Sequence, residues 1–321
     1  MKRLISCIFM ILATALSLGQ QPSYMQQVEN FKTNFNQGDS QAVFDMLNED
    51  VQKQLGFETI DQILKDYREA YGNIDSLEFI QEGNLAEVYL LHFVRGKQKM
   101  ALSLDRENKL SGLRFMPVTE DVTPKIERNL TRLSLPFKGE WFTVWGGDTK
   151  AQNYHVISNA QRRAFDFLVL GSNNKTYQRS GTRNEDYWAF GKPIFAVCDA
   201  LVVEVITGVE DNKPGAMNPR QALGNSVTLL TDKGEYIVYA HFEKGTVKVS
   251  NGERVKRGQL LGNCGNSGNS SEPHLHLHIQ DGPKMLTSVG IKCFFDRLMV
   301  NKEIREDYSP IRLDRIRSIE N

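Results

Sequence analysis

Three of the six histidines in this 321-residue chain fall within residues 270–281, which read SSEPHLHLHIQD. His274, His276 and His278 alternate there with Leu275, Leu277 and Ile279. Residues two apart in a β-strand share a face, so this order sets a column of imidazoles against a column of aliphatics. The aliphatic column suits a core. The imidazole column suits a metal, because neutral imidazole is the commonest metal ligand and two nitrogens at strand spacing can point at one Zn²⁺. The competing reading is a half-buried strand whose outer face carries histidine.

A zinc site needs three or four protein ligands brought together in space, and a catalytic one keeps a position open. His155 stands in QNYHVISNAQRRAFDF, with Asp166 eleven positions on, inside the apolar run AFDFLVL. A carboxylate between Phe165 and Phe167 costs several kcal/mol or more to bury without a partner, and a cation offsets that cost. On an exposed strand face the same residue would need none. His241 ends the run EYIVYAHFE, where alternation sets Tyr236, Val238 and Ala240 on one face and Ile237, Tyr239 and His241 on the other. The sixth histidine, His92, lies on an expected strand with no other ligand type close by and reads as structural. The chain has no HExxH, so the glutamate base of that motif is absent and a histidine must manage any proton.

The elements that must position these residues differ in texture along the chain. Residues 135–281 are short β-branched and aromatic runs punctuated by Gly, Asn and Pro, which predicts an antiparallel all-β domain over residues 135–300. No strand-helix-strand rhythm, GxGxxG or GxxxxGKS/T supports a nucleotide-binding fold. Upstream, Val28, Phe31 and Phe35, then Val43, Phe44 and Leu47, then Ile60, Ile63, Leu64 and Tyr67 recur at helical spacing. Between residues 77 and 115 the period shifts to two. Helices followed by an antiparallel sheet predict an α+β domain over residues 22–118. Residues 119–134 are polar, contain Pro124 and read as a linker, and residues 301–321 read as a C-terminal tail.

The 39 basic and 39 acidic side chains give zero formal charge, so no global field favours nucleic acid or anionic lipid. Residues 1–19 combine Lys2 and Arg3, an apolar run and small residues at Ser17 and Gly19, the pattern of a cleaved signal peptide. That run is shorter than the roughly 20 apolar residues a spanning helix needs. The expectation is a secreted or periplasmic protein with no stable membrane insertion after cleavage. Cys198, Cys264 and Cys293 then remain, an odd number without CxxC spacing, which argues against a disulfide framework while leaving one bridge open.

The blocks NYHVISNAQRRAFDF, YIVYAHF and GERVKRGQLLGNCGNSGNSSEPHLHLHI, in this order, resemble the lysostaphin/LytM-type zinc endopeptidases, which cut peptide bonds in bacterial peptidoglycan. The resemblance covers about residues 135–295. It implies one Zn²⁺ per chain held by His155, Asp166 and His276. It implies further that His241 and His274 line the site as catalytic residues that do not bind the metal. His274 is assigned as general base and His241 as the partner that meets the oxyanion or protonates the leaving amine, and the two roles are exchangeable.

Two features depart from the commoner pattern. Eleven positions separate His155 from Asp166, where four is usual, a longer loop found in a subset of these proteins. The pair is followed by Leu277 and His278, where an acidic residue is usual, so His278 is given a supporting place behind the ligands. Asn153 and Gln161, with the glycine-containing loop 262–272, are candidates for the groove around the site.

The implied function is a secreted endopeptidase acting on cross-links or stem peptides of peptidoglycan. The alternative is an inactive cell-wall-binding relative that activates an amidase partner, though such relatives usually lose ligands that this sequence keeps. A carrier domain, suggested by VKRGQLLGNCG, would need a modifiable lysine at a hairpin tip, and Asp232-Lys233 sits in an ordinary turn. Residues 22–118 resemble the nuclear-transport-factor-like α+β cone domains in element order and in the closing LD-turn-LSGLRF hairpin, which implies a binding or spacing role.

Overall fold

The computed structural model describes residues 21–82, 86–118 and 125–319. The expected signal peptide lies outside the described residues. Two compact units result, Met1–Val118 and Thr119–Asn321. No helix among the described residues is long and apolar enough to cross a membrane.

The first unit opens with four helices, α1 (Gln21–Gln37), α2 (Ser40–Met46), α3 (Glu49–Leu55) and α4 (Phe57–Tyr71). The breaks follow from local chemistry. The Asp39 side chain accepts the Ala42 N–H and the Asn48 side chain the Val51 N–H, capping α2 and α3. Four strands follow, β1 (Ile74–Glu82), β2 (Glu87–Phe93), β3 (Gly96–Leu104) and β4 (Leu110–Pro117), paired antiparallel in chain order. Val28, Phe31, Phe35, Ile60 and Leu64 are buried. Phe31 and Tyr67 pack on Phe115, and Phe35 and Tyr71 on Phe93, so the helical stripes cover one face of the sheet. Ile63, expected in the stripe, is exposed instead. His92 lies on the opposite face of β2 from Tyr89, Leu91 and Phe93, 3.4 Å from Glu78.

The second unit is built from β5 (Glu140–Trp145), β6 (Phe165–Leu168), β7 (Pro193–Phe195), β8 (Ala200–Ile206), β9 (Asn225–Leu230), β10 (Tyr236–Phe242), β11 (Arg254–Val255), β12 (Leu260–Asn263), β13 (Leu275–Gln280), β14 (Gly290–Ile291), β15 (Phe295–Val300), β16 (Glu303–Tyr308) and β17 (Arg315–Arg317). One antiparallel sheet runs β11-β8-β9-β10-β13-β6-β5-β17-β15-β16, with β14 against β13, and β7 pairs with β12 apart from it. The chain is thus an α+β unit followed by an all-β antiparallel unit. Strand β13 lies between β10 and β6. Its Leu275, Leu277 and Ile279 pack with Phe165, Phe167, Ile237 and Tyr239 in a fully buried core.

Two boundaries need correction. The expected tail 301–321 is not one over its described residues 301–319, because β16 pairs with β15 and β17 joins β5 to β15. From Lys125 onward the expected linker belongs to the second unit. Asn129 donates its N–H to Lys292 O and exchanges hydrogen bonds with Phe294, the buried Glu235 carboxylate accepts the Leu130 and Thr131 N–H groups, and Leu133 is in the core. Polar residues that read as solvent-facing are here partners for backbone groups. Cys198, Cys264 and Cys293 are buried free thiols.

Candidate metal centre

The centre is set by the register of β13 against β6. His276 stands directly opposite Asp166 on one side and Ala240 on the other. Phe165 and Phe167 face the core, so alternation turns Asp166 to the opposite face, beside His276. Asp166 Oδ1 lies 2.9 Å from His276 Nδ1.

His155 reaches this pair from a 3₁₀ turn, Tyr154–Ile157, that Asn153 caps by accepting the His155 N–H. The Asn153 amide donates to Gly147 O and Ala164 O at 3.1 and 2.9 Å. Carbonyl oxygens only accept, so this orientation is forced, and Asn153 Oδ1 faces His155 Nδ1 at 2.9 Å. His155 therefore carries its proton on Nδ1 and a lone pair on Nε2, which lies 3.6 Å from Asp166 Oδ2. One ligand atom from each of His155, Asp166 and His276 falls within 4.8 Å of the others. Expected at the groove, Asn153 is fully buried and instead fixes the His155 tautomer.

His274 lies just before β13. Its Nδ1–H donates to Glu272 O at 2.8 Å, with Ser270 Oγ at 3.1 Å, and its Nε2 is 3.7 Å from Asp166 Oδ1. The Nδ1–H of His241 donates to Ser267 O at 2.7 Å. Its ring centroid is 4.7 Å from that of His274 and 5.9 Å from that of His276. Strict alternation groups His241 with Ile237 and Tyr239, which lie in the core. The structure reverses that: the β9–β10 register shifts between Tyr239 and Phe242, and His241 has a φ of 67°. Bulges re-aim side chains, and a left-handed φ is uncommon outside glycine. It is held here by His241 N–H to Leu223 O and Gly265 N–H to His241 O.

The loop 262–272 holds that geometry. A Cβ on Gly265 would lie 2.2 Å from Glu243 N, and one on Gly268, whose φ is +82°, 2.3 Å from Gly224 N. Only glycine allows this packing, which brings Ser267 O to His241. His278 Nδ1 is 2.9 Å from His276 Nε2, and its Nε2 is 3.0 Å from Gln280 Oε1. Gln161 does not join the cluster, its Nε2 meeting Met285 Sδ at 3.9 Å. Gln280 was missed, although it continues the two-residue alternation of the histidines.

Burial dominates the electrostatics. It pushes His155 down to about 4 against the opposing pull of Asp166, His278 down to about 3, and His241 well below the usual imidazole value. Burial alone would raise Asp166, but the imidazoles of His155, His274 and His276 hold it well below the carboxylate range. The neutral rings of His155, His241 and His278 thus offer lone pairs beside the Asp166 carboxylate at neutral pH. Two nitrogens and a carboxylate oxygen, all buried, form a donor set that fits Zn²⁺.

Residues 186–287 match Peptidase family M23, and residues 28–113 match DUF3887, a family of unknown function. The first match includes His241, His274, His276 and His278 and begins after Asp166, which stands beside them only in the fold. Over 152 residues, 43% of this chain, the sequence is 31% identical to peptidoglycan DD-endopeptidase ShyC of Vibrio cholerae, covering 32% of that protein. Over 88 residues, 27% of this chain, it is 37% identical to glycyl-glycine endopeptidase ALE-1 of Staphylococcus capitis, covering 21% of it. The chain thus spans a third or less of the length of these curated relatives. Among solved structures, the catalytic domain of the M23 protein EnpA from Enterococcus faecalis matches at 18% identity and a TM-score of 0.33, over 50% of this chain and 93% of that one. The catalytic domain of lysostaphin from Staphylococcus simulans matches at 19% identity and a TM-score of 0.27, over 48% and 88%. The chain carries a Peptidase family M23 domain in its second unit.

Proposed function

We propose that this protein is a zinc-dependent endopeptidase that hydrolyses peptide cross-links or stem peptides of bacterial peptidoglycan. Export by residues 1–19 would deliver it to the periplasm or the medium. The observation that carries the reading is the convergence of His155, Asp166 and His276 as buried lone-pair donors. The substrate class rests on the M23 match and on the relatives named as endopeptidases of peptidoglycan and of glycyl-glycine bonds. The activity belongs to residues 135–300 with the strands that follow, and residues 22–118 serve as a separate binding or spacing domain.

His155, Asp166 and His276 would hold one Zn²⁺, which supplies a Lewis acid for the scissile carbonyl and lowers the pKa of water. His274 acts as the general base. Its Nδ1–H is committed to Glu272 O, so the neutral ring offers a lone pair at Nε2. That nitrogen takes a proton from the attacking water, and the imidazolium then donates it to the leaving amine. His241 is constrained in the same way by Ser267 O. It can donate at Nε2 only when the proton taken from the water passes to it, so its help to the leaving amine follows proton transfer rather than preceding it.

The test is to measure zinc per chain in the purified protein and to digest purified peptidoglycan, identifying products by mass spectrometry. One zinc per chain with newly cleaved peptide bonds is expected. Metal without cleavage, together with stimulation of an added amidase, would favour the inactive relative. Absence of stoichiometric metal would sink the enzyme reading.

A further inference from the structure

The proposed mechanism leaves two buried polar side chains on the metal-facing side of β13 unused. His278 and Gln280 are each 1% exposed and follow His276 at two-residue steps, so all three share a face. They form one connected row. His276 Nε2 meets His278 Nδ1 at 2.9 Å, His278 Nε2 meets Gln280 Oε1 at 3.0 Å, and Gln280 Nε2 meets Gly282 O at 2.8 Å.

The last contact fixes the Gln280 amide and, through it, the His278 proton. Gly282 O is a backbone carbonyl and can only accept, so the Gln280 NH₂ must face it and Gln280 Oε1 must face His278. An amide oxygen also only accepts, so His278 carries its proton on Nε2. His278 hydrogen-bonds to no carboxylate, and in its neutral ring Nδ1 is then a lone pair. That lone pair needs a donor, which puts the His276 proton on Nε2. In the neutral ring His276 keeps its lone pair on Nδ1, 2.9 Å from Asp166 Oδ1, two acceptors that a cation between them reconciles and that a second proton on Nδ1 would otherwise bridge. The opposite order of protons would set the Gln280 oxygen against Gly282 O.

We propose that His278 and Gln280 are positioning residues, a row anchored at Gly282 O that locks His276 in the Nε2–H tautomer and aims Nδ1 with Asp166 at a divalent cation. This rests on reading the cluster as a metal centre. His276 differs here from its neighbours. His155, His241 and His274 each donate Nδ1–H directly to a carbonyl oxygen, of Asn153, Ser267 and Glu272, and offer Nε2. His276 turns Nδ1 to the carboxylate, so its anchor must come at the far nitrogen, deep along β13, and His278 supplies it. Such partners of a ligating histidine fix its tautomer and orientation.

The experiment has two arms on the full chain. Long-range ¹H–¹⁵N NMR of the zinc-loaded protein at about pH 8 reads the tautomers directly. Both His276 and His278 are expected as Nε2–H, and Nδ1–H on His276 would overturn the proposal. In the second arm, zinc affinity is measured by chelator competition. His278→Leu should weaken zinc by about 10- to 100-fold, whereas His278→Asn, whose side-chain oxygen can replace Nδ1 as acceptor, should stay within about 3-fold of the parent. Equal affinity in the parent and His278→Leu would overturn it. If His278→Leu fails to fold, Gln280→Met takes its place, with loss of a single His278 tautomer as the expected result and an unchanged Nε2–H spectrum the contrary one. A parent that binds no zinc but keeps His278 as the Nε2–H tautomer would refute the metalloenzyme and leave the anchored row standing.

Discussion

Asp166 and His276 occupy opposite positions on β6 and β13, and their side chains meet at 2.9 Å on the face away from the core. The same ladder that seals Phe165, Phe167, Leu275 and Leu277 into the interior therefore sets the distance between two candidate ligands. A one-residue slip of β13 would present leucine to the metal and histidine to the core, so core packing enforces the site.

That arrangement separates the two histidines of the first pair. His276→Ala should abolish both zinc binding and hydrolysis. His274→Ala should retain zinc and lose about 10²- to 10⁴-fold in turnover, the usual contribution of a positioned acid-base group. Metal content and hydrolysis rate on the same preparations check this. Zinc loss in His274→Ala with retention in His276→Ala would shift the ligand assignment by one step of the alternation.

Asn153 should matter although it is remote from substrate. Asn153→Asp keeps the oxygen facing His155 but cannot donate to Gly147 O and Ala164 O, so it strands both carbonyls in the interior. The expected cost is about 1–3 kcal/mol per unsatisfied group, with weaker zinc binding because His155 loses its orientation. Denaturant unfolding and chelator competition on one sample read both effects, and an unchanged midpoint would count against the forced orientation of the amide.

The histidine column of β13 was legible because a two-residue period needs only local sequence, and core and metal demands agree on it. The facing of His241 was not legible. The bulge that turns it depends on Leu223 and Gly265, which lie distant in sequence and meet it only in the fold. Strand β16 was hidden for another reason. Glu303, Arg305 and Glu306 are exposed with Ile304 between them, so this charged edge strand shows no apolar face to read. Asn153 and Asn129 resembled loop residues because their partners are backbone groups, which leave no trace in sequence.

Gly268→Ala should disable the site without touching a ligand. At a φ of +82° an alanine is strained, and its Cβ would lie 2.3 Å from Gly224 N, a backbone atom with no easy escape. The loop must shift, taking Ser267 O from His241 Nδ1. The expected result is a lower Tm, retained zinc and a turnover loss like that of His241→Ala. Full activity at the parent Tm would show that the loop does not set the His241 ring.

The chelated protein should lose stability as pH falls, beginning above the carboxylate range. His155 and His278 have folded values of about 4 and about 3, lowered by burial, against 6.5 ordinarily. Below pH 6.5 the unfolded chain takes up protons that the fold refuses, so each group subtracts about 1.4 kcal/mol per pH unit until its folded value is reached. The stabilisation is thus full above 6.5 and lost progressively down to about 4 and 3. Asp166, held low in the fold, adds a loss of the same sign once pH drops through 3.8, its ordinary value. Denaturant midpoints from pH 8 to 4 in excess chelator should decline from about 6.5 downward, more shallowly in His278→Asn, which removes one of the refusing imidazoles. A flat profile to pH 4.5 would mean that these rings are not buried and neutral, and the tautomers assigned to the centre would fall with them.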